Sequence, residues 1–346
     1  MKRRAATSVF LATLLCAAAS RAETLNFLIW EAYIDQGLID RWSQETGVSI
    51  RQINFDSDDA RDEILADPGN NIDLVVVDEN GAQLFGKKGI LEVIEEANLP
   101  ALADYAPKWR DRCAGHGLPY FSGTVGILYR SDVIAQPPTS WQDMMRPAVS
   151  LKKHIAMFDD QTELFVPPLM LLGTSINASD TGTLKAAFDL LKAQAPAVLT
   201  YDYVITAIQD EATGKEIHMA LGYSGDQHVL NDKVGKPGLW RYSVPKEGTL
   251  SWLDCVSVMA SSPRKQRALE FLDFIGSPES AAANALSLTM PTTSSAALKI
   301  LPEAMRSDPE IYPPAATLAK SQYQQELSIQ SVQARRRIIS TLANFQ

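Results

Sequence analysis

The sequence holds little of what the common classes of catalyst require. It has three cysteines and four histidines in 346 residues. His116, His154, His218 and His228 show no metal-ligand spacing. There is no G-x-G-x-x-G, no Walker A loop and no H-E-x-x-H. Gly222, Ser224 and Gly225 lack the spacing of a nucleophile elbow. Basic residues are also scarce, 32 against 41 acidic ones, for a formal charge of −9. An acidic surface repels phosphate backbones, which argues against a nucleic-acid partner and favours a cationic ligand. After residue 22 no stretch is apolar enough to cross a bilayer. No repeat or low-complexity segment occurs.

The first 22 residues read as a secretory signal. Lys2, Arg3 and Arg4 precede an apolar run over residues 5–19, and Ser20, Arg21 and Ala22 form an A-x-A-like cleavage site. Leu15 before Cys16 is too large for lipoprotein processing. Cleavage after Ala22 and a periplasmic location are expected. Removing four basic residues leaves 28 against 41 acidic ones, a formal −13. The remaining 324 residues exceed what one compact core usually holds, so two lobes are expected. Cys113 and Cys255 could pair in an oxidising compartment, but two distant cysteines make no disulfide framework, and two separate small side chains are the favoured reading.

The hydrophobic pattern predicts strands over 25–30, 48–53 and 73–77, with helices over 33–46, 60–65 and 83–88. That order implies a mainly parallel sheet covered by helices. Residues 118–130 read as paired strands with glycines at the turns. A second α/β series follows Pro138, with strands over 154–158 and 217–223. A strand over 250–259 and helices over 264–275 and 315–342 complete the chain. The fold class is α/β, two-lobed, with a ligand cleft between lobes. The expected lobes are residues 23–131 plus 254–298, and 132–253 plus 299–346.

Ligands of open α/β sheets bind at the carboxyl ends of strands and between lobes. Aromatic and acidic residues gather at those positions. Trp30 and Tyr33 follow the first strand, and Asp78, Glu79 and Asn80 follow the third. Asp159, Asp160 and Glu163 follow the strand ending at Phe158, and Tyr223 and Asp226 follow the strand ending at Leu221. Trp252 and Asp254 sit two apart in one strand. A polyamine is a thread of ammonium groups separated by methylenes. Carboxylates bind its ammoniums, and aromatic faces cover its methylenes and attract its charge.

Trp30-Glu31-Ala32-Tyr33, Asp73 to Val76, Leu118-Pro119-Tyr120, Ser140-Trp141, Asp160-x-x-Glu163 and Trp252-x-Asp254 occur in this order. The ordered set resembles bacterial periplasmic spermidine/putrescine-binding proteins of the type 2 periplasmic-binding fold. The resemblance implies that Trp30, Tyr33 and Trp252 wall the ligand. It assigns ammonium binding to Asp160, Glu163 and Asp254, and an amine hydrogen bond to Gln324. Tyr223 stands where spermidine binders tend to carry Trp, and Asn80 where an aromatic is common. The family's acid after the first Trp is displaced: Glu31 comes next, and Ala32 holds its place. The resulting ligand-site set also includes Glu31, Asp78, Asn80 and Tyr223.

Each of these residues has a plainer reading. Asp160-x-x-Glu163 is also a helix capping box. Trp30 alone would be core, and Asp78 and Glu79 a solvated turn. Asn80 would supply a left-handed turn residue. Arg335, Arg336 and Arg337 would be an exposed helix face. No arginine is evident in the cleft to hold a ligand carboxylate. Arg130 and Arg241 read as structural.

The sequence is therefore expected to encode a non-enzymatic, monomeric polyamine-binding protein without cofactor or metal. Its ligands would be of the putrescine, spermidine or norspermidine type. The resemblance implies delivery to an inner-membrane ABC permease. The alternative is polyamine sensing for the periplasmic domain of a membrane partner, such as a cyclic-di-GMP enzyme.

Overall fold

Two strands, each shared between two parts of one sheet, set the position of everything else. The computed structural model describes residues 23–55 and 57–345. The expected signal peptide and its cleavage after Ala22 lie outside the described residues. The strands are β1 (Thr24–Trp30), β2 (Ser49–Phe55), β3 (Leu74–Asp78), β4 (Leu118–Arg130), β5 (Ile155–Ala156), β6 (Val198–Thr200), β7 (Met219–Tyr223), β8 (Trp240–Ser243), β9 (Leu250–Val258) and β10 (Gln322–Tyr323). Their order is β2-β1-β3-β9-β4-β7-β5-β6, with β10 on β9 and β8 on β4.

In the first lobe β2, β1 and β3 run parallel, and β9 joins β3 antiparallel. In the second lobe β6, β5 and β7 run parallel, and β4 joins β7 antiparallel. The first half of β4 pairs with β9 through Leu118 to Thr124, and its second half pairs with β7 from Val125 onward.

Residues 118–130 are thus one continuous 13-residue strand, not the hairpin expected from their glycines. Gly123 and Gly126 mark close approach rather than turns. A Cβ on Gly123 would overlap the Trp252 indole, and one on Gly126 the Tyr242 ring.

Helix α1 (Gln36–Thr46) buries Leu38, Ile39 and Trp42. Asp35 caps its start, accepting from the Leu38 N–H, and Gly47 closes it at φ 72°. Phe271, on the amphipathic helix Lys265–Gly276, meets Phe27 and Trp42 edge-on. Full burial of each such side chain stabilises by about 1.5–3 kcal/mol. Asp73, fully buried before β3, accepts from the Asn26 N–H, Ser262 and the Arg264 guanidinium.

The first core runs from β1 to Leu253, Phe271 and Leu301, with Met305 and Ile311 at its end. A second core gathers Val125, Trp141, Phe165, Leu191, Leu221 and Leu342. The C-terminal segment is less helical than its pattern suggested. It holds a short helix Ala315–Leu318, then β10, then the helix Ile329–Leu342. β10 interrupts because Gln322 and Tyr323 pair with Leu250 and Ser251 of β9.

The favoured reading of separate cysteines is corrected as well. Cys113 and Cys255 form a disulfide, with Cα atoms 5.9 Å apart. Their separation of 142 residues hid the pairing. The register of β9, which places Cys255 beside the turn Asp111–Cys113, brings them together.

Candidate ligand-binding cleft

β9 carries the centre of the site. Side chains alternate along a strand, so Trp252 and Asp254 share one face while Leu253 and Cys255 enter the core. Asp78, last in β3, stands opposite Asp254 in the antiparallel register. Its carboxylate accepts from the Gly81 N–H at 2.9 Å and caps helix α3 (Glu79–Lys87). The Tyr33 hydroxyl donates to Asp254 Oδ2 at 2.8 Å. Trp30 ends β1 half-buried, its ring 4.3 Å from that of Phe55. These groups form the first-lobe end.

The second-lobe end is built on the loop after β5 and the end of β7. Tyr223 donates its hydroxyl to Glu163 Oε1 at 2.9 Å. Asp160 accepts from the N–H groups of Thr162 and Glu163, at 2.6 and 2.8 Å. The expected capping box is not formed: Thr162, not Asp160, precedes the short 3-10 helix Glu163–Phe165, which has no side-chain cap, and the Glu163 carboxyl accepts from Tyr223 instead of the Asp160 N–H. Gln324, just past β10, donates to Thr162 Oγ1 at 3.1 Å. Trp252 joins the two ends: its ring meets Tyr223 edge-on at 6.5 Å.

Burial dominates the electrostatics of both ends. It pushes the Asp254 carboxyl up to about 7, against the pull of the Tyr33 hydrogen bond, and neighbouring Asp78 adds to the rise. It raises Glu163 well above the usual carboxylate range, with Asp160 contributing. Such carboxyls gain most from a cation that lets them ionise without water.

Of the expected residues, Trp30, Tyr33, Asp78 and Asp254 come together at one end. Asp160, Glu163, Tyr223 and Gln324 come together at the other, with Trp252 between. Asn80 is half-buried in the first turn of α3, so it is not a left-handed turn residue. Glu31, next to Trp30 in the chain, is exposed. The left-handed residue is Ala32, at φ 54°.

Several participants were missed or misread. Glu79 is no solvated turn: it is 5% exposed, and burial pushes its carboxyl up to about 8. Arg112 stands 3.7 Å from Glu79 and covers the Tyr323 ring. Asp226 accepts from the Tyr203 hydroxyl and the Tyr223 N–H, and burial raises it to about 6. Phe158 stacks on Tyr203 at 5.2 Å and extends the aromatic wall. Arg335 is buried, unlike exposed Arg336 and Arg337. Its guanidinium donates to the carbonyls of Gln161, Ile176 and Ala178. The strand-end positions of Glu79 and Asp226 were visible, but helical spacing gave no sign that Arg335 turns inward.

A sequence model of the bacterial extracellular solute-binding proteins matches residues 37–313. The chain belongs to that family. This solute-binding protein is 33% identical to the norspermidine sensor of Vibrio cholerae over 336 residues, 97% of this chain and 92% of that protein. It is 27% identical over 317 residues to the spermidine/putrescine-binding periplasmic protein of Salmonella typhimurium, 89% of this chain and 88% of that one. The solved spermidine/putrescine transporter substrate-binding protein of Streptococcus pneumoniae superimposes with a TM-score of 0.83 at 22% identity. The match covers 93% of this chain and 99% of that one, and it shows the two-lobed fold. The likeness drawn from the ordered motifs holds at the level of the family. Among the described residues no helix of this solute-binding protein is long and apolar enough to cross a membrane.

Proposed function

We propose that this chain is a periplasmic polyamine-binding protein that captures its ligand between two closing lobes and delivers it to an inner-membrane ABC permease. The observation that carries the reading is the line of acids and aromatics from Tyr33 and Asp254, past Trp252, to Tyr223 and Glu163. Carboxylates at both ends with rings between them match ammonium groups at both ends of an alkyl chain. The relatives named for spermidine and putrescine support this reading. β4 and β9 are the natural hinge strands, since each changes partners between Gly123 and Val125 or near Ser251. Closure would desolvate the amines. The ligand leaves chemically unchanged, because the acids meet tyrosines and backbone donors rather than a nucleophile.

A second reading is polyamine sensing without transport, presented to the periplasmic domain of a membrane partner. The 33% identity to the norspermidine sensor over 97% of this chain favours it. The two readings share one cleft and differ in the docking partner.

The test is calorimetric titration of ligand-stripped protein with putrescine, spermidine, norspermidine and spermine. One-site binding with a Kd of about 1 μM or tighter, near −8 kcal/mol, supports the reading. No heat with any amine at two temperatures overturns it. Uptake of labelled ligand by cells lacking the gene then separates transport, where uptake falls, from sensing, where it does not.

A further inference from the structure

The loop that carries the second-lobe acids is held by the C-terminal segment. Arg335, on the helix Ile329–Leu342, is 1% exposed. Its Nη1 donates to the Gln161 carbonyl at 2.8 Å. Its Nη2 donates to the carbonyls of Ile176 and Ala178, at 2.7 and 2.8 Å. The guanidinium carbon lies 4.8 Å from the centroid of the Phe165 ring. Neighbouring Arg336 donates from Nε to the Gln161 side-chain oxygen at 3.1 Å. Two successive arginines thus hold Gln161, one by its backbone and one by its side chain.

Gln161 lies between the two acids in the chain. Asp160 precedes it and accepts from the N–H groups of Thr162 and Glu163. Phe165 ends the short turn that Glu163 begins. Arg335 therefore grips the loop on both sides of Glu163, whose carboxyl accepts from Tyr223 at 2.9 Å. Its other two acceptors flank Asn177. The Asn177 amide donates to the Tyr323 carbonyl, and its oxygen accepts from the Gln325 N–H. Between those two residues stands Gln324, which donates to Thr162. One guanidinium ties the acid loop to the segment that holds Gln324. A guanidinium is costly to bury, and apolar packing alone would not call for one. Its rigid planar fork reaches acceptors in two directions at once, which a lysine ammonium does not reproduce.

We propose that Arg335 is a positioning residue for ligand capture: by fixing the Gln161 carbonyl and packing on Phe165, it sets the Glu163 carboxyl in place for an ammonium group at the second-lobe end. The inference rests on the polyamine reading and deepens it. Arg335 acts through the loop and not on the ligand.

A residue that merely stabilised the second lobe would weaken binding whichever acid is present. The experiment is therefore a double-mutant cycle on ligand-stripped mature protein. The probe is whichever of putrescine, spermidine, norspermidine and spermine binds wild type most tightly, with Kd read by calorimetry. Glu163→Gln and Asp254→Asn are each made in wild type and in Arg335→Met, which keeps an unbranched apolar stem beside Phe165. Arg335→Met alone should weaken binding roughly tenfold, as for the loss of a charge-assisted hydrogen bond. In that background Glu163→Gln should cost no more than about twofold, because the acid it removes is already out of place. Asp254→Asn, at the other end, should cost the same factor in both backgrounds. If Glu163→Gln costs the same factor with and without Arg335, the inference is overturned. Equal shrinkage of both costs also overturns it, since that marks a general loosening. Should Arg335→Met fail to fold, Arg335→Lys keeps the charge without the fork and enters the same cycle. Failure of both to fold would assign Arg335 to the fold alone and overturn the inference. If wild type binds none of the four amines, the functional reading fails first, a distinct result that removes the basis for the inference.

Discussion

Asp78 and Asp254 face each other across β3 and β9, two carboxyls on neighbouring strands of one sheet. Like charges placed this way resist joint ionisation. The Tyr33 hydroxyl donates to Asp254 and the Gly81 N–H to Asp78. A bound ammonium would remove the conflict, which is what the proposed polyamine site requires of the pair.

Ligand affinity should therefore depend on pH in a known direction. Burial holds Asp254 at about 7 and Glu79 at about 8 in the empty protein, above their ordinary values of 3.8 and 4.5. A polyammonium ligand selects the ionised forms, so binding releases protons near neutrality. Between pH 8 and pH 6 the affinity should fall roughly tenfold if Asp254 must ionise and roughly fiftyfold if Glu79 must, at 1.36 kcal/mol per pKa unit. Titration in buffers of different ionisation heat should register protons released at pH 6.5. An affinity flat from pH 6 to 8 would show that these groups bind no cation.

The same shifts set the stability of the empty protein. A carboxyl whose folded value is raised stabilises the fold fully below its unfolded value, and that contribution is lost as pH rises through the folded value. For Asp254, Glu79 and Asp226, the last raised to about 6, that window runs from about 4 to 8. The Tm of the stripped protein, by scanning calorimetry, should fall across this range. Saturating ligand should reduce the fall, because it stabilises the ionised state.

Three substitutions separate the cleft from its surroundings. Asp254→Asn keeps an acceptor for Tyr33 but removes the charge, and should weaken binding about a hundredfold, near the 1.5–3 kcal/mol of a charge-assisted hydrogen bond. Trp252→Ala removes the ring between the two ends and should cost roughly tenfold or more. Glu31→Gln, at an exposed position beside Trp30, should change affinity least of the three. Full affinity in both Asp254→Asn and Trp252→Ala would remove those residues from the site.

Much of this was legible in the sequence because parallel α/β units declare themselves by short apolar runs ending in polar residues. β1, β3 and the helix Lys265–Gly276 lie where periodicity put them. Trp252 and Asp254 were readable for the same reason, since period two puts both on one strand face. What failed depended on distant chain. The glycines of β4 read as turns because nothing local reveals that Trp252 and Tyr242 press on them. Arg335 read as exposed because its neighbours Arg336 and Arg337 are, and its acceptors are carbonyls at Gln161, Ile176 and Ala178. Glu79 read as solvated because its burial comes from packing against β9 and the turn carrying Arg112.

Gly123 should be intolerant of a side chain. A Cβ there would overlap the Trp252 indole and the Ser224 hydroxyl. Gly123→Ala must displace the indole or bend β4, at about 1–3 kcal/mol for overpacking. Both outcomes disturb the strand shared by the lobes and the ring between the two ends. Weaker polyamine binding with a lowered denaturation midpoint is expected. Wild-type affinity would mean that the indole position does not matter for the ligand.

The disulfide should serve both stability and the site, for one geometric reason. Cys255 follows Asp254 on β9, and Cys113 follows Arg112, the residue that covers Tyr323 and approaches Glu79. Cross-linking residues 142 apart removes a large loop entropy from the unfolded chain. Replacing both cysteines by alanine should cost about 2–5 kcal/mol of unfolding free energy, read by guanidinium denaturation. The turn Asp111–Cys113 is short and has no side-chain cap, and the bond ties it to β9 one residue from Arg112. Arg112 should then loosen from Tyr323 and Glu79, and polyamine affinity should fall severalfold while the fold persists. A double alanine variant with unchanged denaturation would show that the bond adds nothing to stability. Lost stability with unchanged affinity would confine its role to the first lobe's core.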